Sequence, residues 1–178
     1  MNNVASYKEF EIYPLNPTLA KKHMPDILSA LDLIPKVDNH SEDDILLEKS
    51  GERIFHAKWE HSCIALTSNG DFAGIVIGYE REREGNAQYP DNSIYISGFA
   101  ISSTYQKKGL GKFLIKTWLE YNEKKDFLEI NGTLKFTVQT NNAEWNNHVQ
   151  KLYESFGFRK TSEKNYGNRT DNVYSLNV

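Results

Sequence analysis

The stretch Ser103 to Glu120, STYQKKGLGKFLIKTWLE, decides how the rest of the chain is read. Upstream, SIYISGFAI (residues 93–101) is a β-prone run whose interior Gly98 signals a bulge or a close backbone approach. Downstream, Leu110, Phe113, Leu114, Trp118 and Tyr121 recur at helical spacing, with Lys112, Lys116, Glu120 and Glu123 toward water. Between them lie Gln106, Lys107, Lys108, Gly109, Leu110 and Gly111. A strand, a basic glycine turn and a helix in that order aim unpaired backbone N–H groups and the positive helix end at an anion. The glycines let a phosphate approach the main chain.

Two common phosphate loops do not fit. A Walker loop needs G-x-x-x-x-G-K-[ST], yet Gly111-Lys112 is followed by Phe113 and lacks the earlier glycine. A dinucleotide fingerprint needs G-x-G-x-x-G, and Leu114 stands where the third glycine belongs.

Outward from this stretch, YKEFEIYPL reads as a first strand, and PTLAKKHMPDILSALDLI as a helix disturbed by Pro25. Ser41 and Asp44 form a capping box for a second helix, which stops at Gly51 or continues through ERIFHAKW. SCIALTSNGDFAGIVIGYE holds two strands joined at Ser68-Asn69-Gly70-Asp71, where Asn-Gly supplies the positive φ of a tight hairpin. LKFTVQT alternates as a strand. Trp145, Val149, Leu152, Tyr153 and Phe156 share one face of a further helix that Gly157 terminates. FRKTSE and NVYSLNV pair across KNYGNRTD. The order strand, helix, helix, three strands, helix, strand, helix, two strands implies an α/β fold whose mixed sheet is covered by helices on both faces.

The 178 residues, 39% hydrophobic and 12% aromatic, suit one domain spanning 1–178. With 21 Lys plus Arg against 24 Asp plus Glu the formal charge is −3, which argues against a nucleic-acid-binding face. The one cysteine, Cys63, cannot form an internal disulfide, and MNNVASYKEFEIYPL lacks the basic start and apolar core of a secretion signal, so a cytoplasmic location is expected. No apolar run is long enough to span a bilayer. His23, His40, His56, His61 and His148 show no metal-ligand spacing, and no metal is expected. Cys63 has no pattern of an activated thiol around it.

Gln106, Gly109 and Gly111 fit Q/R-x-x-G-x-G/A, and the chain closely resembles the GCN5-related N-acetyltransferase superfamily, whose acyl-CoA signature this is. The resemblance extends to NNHVQKLYESFGF, where Asn146, Leu152, Tyr153, Gly157 and Phe158 match N-x-x-A-x-x-L-Y-x-x-x-G-F and Val149 replaces the usual alanine. It implies a mostly antiparallel sheet with a V-shaped opening between two parallel strands, in which the pantetheine of acetyl-CoA pairs with exposed backbone. In this chain the strand would be residues 93–101, with Phe99, Ala100 and Ile101 against the pantetheine and a bulge near Gly98 aiming an N–H at the thioester carbonyl. Pyrophosphate would rest on the amides from Lys107 to Lys112, and Asn146 would also contact the donor. Acetyl-CoA is thus the expected co-substrate.

By the same resemblance Tyr153 is the candidate acid that protonates the departing thiolate. Amines reach the site protonated, so a base or a water chain is required. Glu80 or Glu82 is the nearest carboxylate to the central strand, and Tyr95 with Ser97 could relay a proton through water; an alternating-charge strand end in solvent is the plain alternative for YEREREG. The expected function is acetyl transfer to a primary amine of a small molecule or peptide, against a non-catalytic acyl-CoA sensor on the same fold. Acidic DNHSEDD and EREREG hint at a cationic acceptor. Homodimerisation through an edge strand is a further expectation, with neither nucleic acid nor membrane as partner.

Overall fold

The structure, a computed structural model, describes residues 2–32, 45, 58–81, 93–125 and 134–178. The strand read around Gly98 is central: β5 (Ser93–Ile101) pairs antiparallel with β4 (Phe72–Arg81) and parallel with β6 (Lys135–Asn141). Beyond β4 lie β3 (Cys63–Thr67), β2 (Phe10–Pro14) and β1 (Ala5–Tyr7); beyond β6 lie β8 (Thr170–Asn177) and then β7 (Arg159–Asn165). Among the described strands every neighbouring pair other than β5–β6 is antiparallel.

The single first strand expected from YKEFEIYPL is instead a hairpin, β1 and β2, which brings the strands among the described residues to eight. Lys8 takes φ 55° and reverses the chain. No glycine, proline or asparagine marks that turn, so the apolar alternation runs through it unbroken. The other hairpin follows expectation: Gly70 holds φ 84° between β3 and β4, while Asn69 does not enter the left-handed region.

Helix α1 (Pro17–Asp32) starts where Asn16 Oδ1 accepts the Leu19 N–H at 3.0 Å, with Pro17 in the first turn, where a missing N–H costs nothing. Expected to disturb the helix, Pro25 sits within it on the exposed side, where water can satisfy the freed carbonyl. The second helix expected from Ser41 lies outside the described residues except for Ile45, which is helical and fully buried.

Alternation along the strands builds two cores. Ile75 and Ile77 point to α1 and pack with Met24, Ile27 and Leu31; Val76, Ile94 and Phe136 point the other way, beneath α2 (Leu110–Glu123) and α3 (Asn147–Glu154). Trp118 of α2 is fully buried there, its ring 5.3 Å from Phe136 and its indole N–H donated to the His61 carbonyl. The outer strand β7 carries Arg159, Lys160, Glu163 and Lys164, and β1 is three residues long, both features that disfavour further strand addition. Among the described residues no helix is long and apolar enough to cross a membrane.

Candidate active site

Parallel pairing of β5 with β6 covers Ile94 with Phe136, Tyr95 with Thr137 and Ile96 with Val138, and there it ends. Against β4, Ile77 pairs with Gly98 and Gly78 with Ile96, so Ser97 is an extra residue that bulges β5 at the point where β6 departs. The strands then part around a cavity of about 570 Å³ walled by Ser97–Ile101 on one side and Val138–Asn141 on the other. The Ser102 N–H donates to the Ala73 carbonyl at 3.0 Å. Counting back by twos, Ala100 and Gly98 bond to β4, and Phe99 and Ile101 present their backbone groups to the gap. One of these groups is engaged: the Ile101 carbonyl accepts from Gln106 Nε2 at 3.1 Å.

At the mouth, Lys107 (φ 60°) and Gly109 (φ 86°) curl the chain into α2. The amide of Phe113 is satisfied by the Gly109 carbonyl at 3.2 Å, whereas those of Leu110, Gly111 and Lys112 begin the helix with no carbonyl ahead of them. A Cβ added at Gly111 would lie 3.2 Å from the Phe99 ring, so the turn presses against the strand. The β1–β2 hairpin braces it from behind. Tyr7 stacks on Phe113 at 4.8 Å and donates to the Lys108 carbonyl at 3.4 Å, and Lys8 Nζ donates to the same carbonyl at 3.1 Å.

Of the expected donor-binding residues, Phe99, Ala100, Ile101, Gln106, Lys107, Gly109, Gly111 and Asn146 line the cavity. Lys108 turns away, 3.6 Å from Glu9 and over the Tyr105 ring, Leu110 is buried in the core, and neither these two nor Lys112 lines the cavity. Asn146 donates its amide to Thr140 Oγ1 at 2.6 Å and to the Asn141 carbonyl at 2.7 Å, which ties the end of β6 to α3.

Tyr153 lines the cavity at 3% exposure. Its ring meets Phe158 edge-on at 5.6 Å, and burial alone pushes its hydroxyl well above the usual tyrosine range. It therefore stays protonated through neutral and moderately alkaline pH, as an acid must.

Glu80 is placed differently from the expectation. It pairs with Ile94 at the closed end of the gap, is 6% exposed, and has its carboxylate 3.6 Å from His61 Nε2, on the side under α2. His61 Nδ1 lies 2.8 Å from Asn122 Oδ1, and the Asn122 amide donates to the Trp118 carbonyl at 2.9 Å. Glu80 is thus built into a buried polar cluster and does not line the cavity. The bulge at Ser97 lies on β5 beyond Ile94, so the placement of Glu80 follows from its own position on β4. Glu82 and the acidic segments 38–44 and 82–85 lie outside the described residues. Among the described residues no set of three His, Cys, Asp or Glu side chains is placed to hold a metal ion.

Several lining residues escaped the sequence reading: Ala30, Gln139, Trp145, His148 and Arg169. Trp145, assigned to the apolar face of α3, belongs to the 3-10 turn ahead of it and is 55% exposed at the cavity rim. Helical spacing does not extend through such a turn.

Known structures share this fold. A chain of the NatC complex bound to Gag peptide and CoA superposes with a TM-score of 0.70 at 16% identity, covering 96% of this chain and 99% of that one. Arabidopsis thaliana Naa50, in complex with the bisubstrate analogue CoA-Ac-MVNAL, gives 0.64 at 16% identity, with 95% and 99% covered. A ribosomal-protein-alanine N-acetyltransferase from Escherichia coli gives 0.64 at 18% identity, with 95% and 94% covered. A search of curated proteins finds no significant match. The sequence itself matches the profile of the acetyltransferase (GNAT) family over residues 26–158, which includes the bulged strand, the glycine turn and Tyr153, and the chain belongs to that family.

Proposed function

We propose that the protein is an acetyl-CoA-dependent N-acetyltransferase acting on the primary amine of a small molecule or peptide by direct attack. One observation carries the reading. The gap that exposes the Phe99 and Ile101 backbone opens at one end on the amides of residues 110–112 and is walled by the protonated hydroxyl of Tyr153. Pantetheine would pair with the strand edge, pyrophosphate with the turn, and the thioester would reach the bulge. The solved folds similar to this one include proteins bound to CoA together with a peptide or a peptide-bearing analogue, which supports a peptidyl amine among the acceptors.

In the transfer the neutral amine nitrogen bonds to the carbonyl carbon, the carbon–sulfur bond breaks, and the thiolate takes the proton of Tyr153, which recovers one from water. Direct attack is the simpler course, because Cys63 is fully buried and desolvation pushes its thiol up to about 12. Since neither Glu80 nor any other carboxylate lines the cavity among the described residues, the ammonium proton is assigned to solvent reaching the gap. The same feature is what would favour a non-catalytic acyl-CoA sensor. Incubation with acetyl-CoA and an amine panel, following thiol release and product mass, decides between them. Amine-dependent release with a product heavier by one acetyl group is expected; donor binding without product from any amine would point to the sensor.

A further inference from the structure

The cavity is lined by residues from both faces of the sheet. On the α2–α3 side it is bounded by the glycine turn and Tyr153, and on the α1 side by Ala30, Gln139 and Arg169. Phe136 and Val138 point beneath α2, so Gln139 points to the α1 side. Asp171 pairs with Asn141, which shares the face of Gln139, and Arg169 is two residues before Asp171.

Arg169 is held in place from several directions. Its Nη2 donates to Asp171 Oδ2 at 2.6 Å, and the Asp171 side chain is 1% exposed. Tyr166 lies under the guanidinium at 5.6 Å and donates its hydroxyl to Gln139 Oε1 at 3.0 Å. Among the described lining residues, Lys107 at the glycine turn and Arg169 on the α1 side are the Lys and Arg side chains, and Asp and Glu are absent. A planar guanidinium fixed by a buried carboxylate keeps its fork of donors in one orientation, a geometry that matches carboxylate groups.

We propose that Arg169 receives a carboxylate of the acceptor, so that the preferred substrates are amines that also carry a carboxylate, either free amino acids or peptides acidic near the N-terminus. This rests on the transferase reading above and names its acceptor class.

The test compares kcat/KM for acceptor pairs that differ only by carboxylate against carboxamide: an amino acid and its amide, and peptides with Glu or Gln after the first residue. The wild-type protein should favour the carboxylate by about tenfold or more, as expected for a charge-assisted hydrogen bond. In Arg169→Gln the ratio should fall toward one, and Arg169→Lys should keep part of it, whichever way the absolute rates move. Calorimetric binding of acetyl-CoA checks that each variant is folded. Whichever pair shows the preference identifies the source of the carboxylate. Equal use of both members, preference for cationic amines, or a preference that survives Arg169→Gln overturns the assignment while leaving the transferase intact. If the wild-type protein binds acetyl-CoA and acetylates no amine, the transferase reading fails and this one fails with it.

Discussion

Replacing Tyr153 by Phe removes one oxygen from a side chain that is 3% exposed. The ring and its edge-on contact with Phe158 remain, so the cavity keeps its shape. Stability should hardly change, because the substitution keeps the buried ring and its packing and removes only the hydroxyl of a residue that lines the cavity. The rate should change far more. General acid catalysis contributes roughly 10²–10⁴-fold, and a thiolate is a good leaving group that needs less help than an alkoxide, so the low end applies: about 100-fold in kcat, or about 2.7 kcal/mol. Acetyl-CoA affinity should stay within about threefold, since in the proposed function the backbone of Phe99 and Ile101 and the turn would supply the binding. The assay is steady-state thiol release at saturating acetyl-CoA, with a thermal melt of both proteins. A variant that melts with the wild type and retains more than about half of its kcat would refute the role of Tyr153 as the acid.

Other consequences follow from the same geometry. Gly109→Ala forces a left-handed residue to carry a Cβ 2.7 Å from Tyr7 Oη; stability should fall by about 1–2 kcal/mol and acetyl-CoA should bind more weakly, read by thermal melt and calorimetry. Asn122→Ala strips partners from buried His61 and from the Trp118 carbonyl, which should cost roughly 1–3 kcal/mol in denaturant unfolding while donor affinity is unchanged. The pH profile of kcat/KM should rise with the pKa of whichever amine is supplied, and its alkaline limb should not fall at the ordinary tyrosine value, because burial raises Tyr153 and its acidic form persists above that pH. Thiol alkylation of the native protein should be slow and leave activity intact, since Cys63 is fully buried with its thiol pushed up to about 12.

Much of this was legible in the sequence because it is local. Helical spacing from Leu110 to Tyr121 and the turn glycines located α2 and its mouth, and Gly98 announced the bulge that appears at Ser97. The family resemblance carried by Leu152, Tyr153 and Gly157 pointed to the tyrosine, which lines the cavity. What escaped depends on pairing between distant segments. The turn at Lys8 carries no residue-type signature. Glu80 looked available because its facing depends on which side of the sheet α2 covers. Arg169 reaches the cavity only because β8 pairs with β6, a partner far away in the chain. Its signal was present in NRTD, where Arg169 and Asp171 alternate onto one strand face, but an arginine two residues from an aspartate is common on surface strands.

The proposed transfer depends on where the donor lies. Amide NMR of the labelled protein titrated with acetyl-CoA reads this directly. It should shift the resonances of Phe99, Ile101 and residues 109–112 far more than those of β1, β7 or the buried His61 cluster. Saturable binding whose largest shifts fall outside the β5–β6 gap and the glycine turn, or no binding at all, would contradict it.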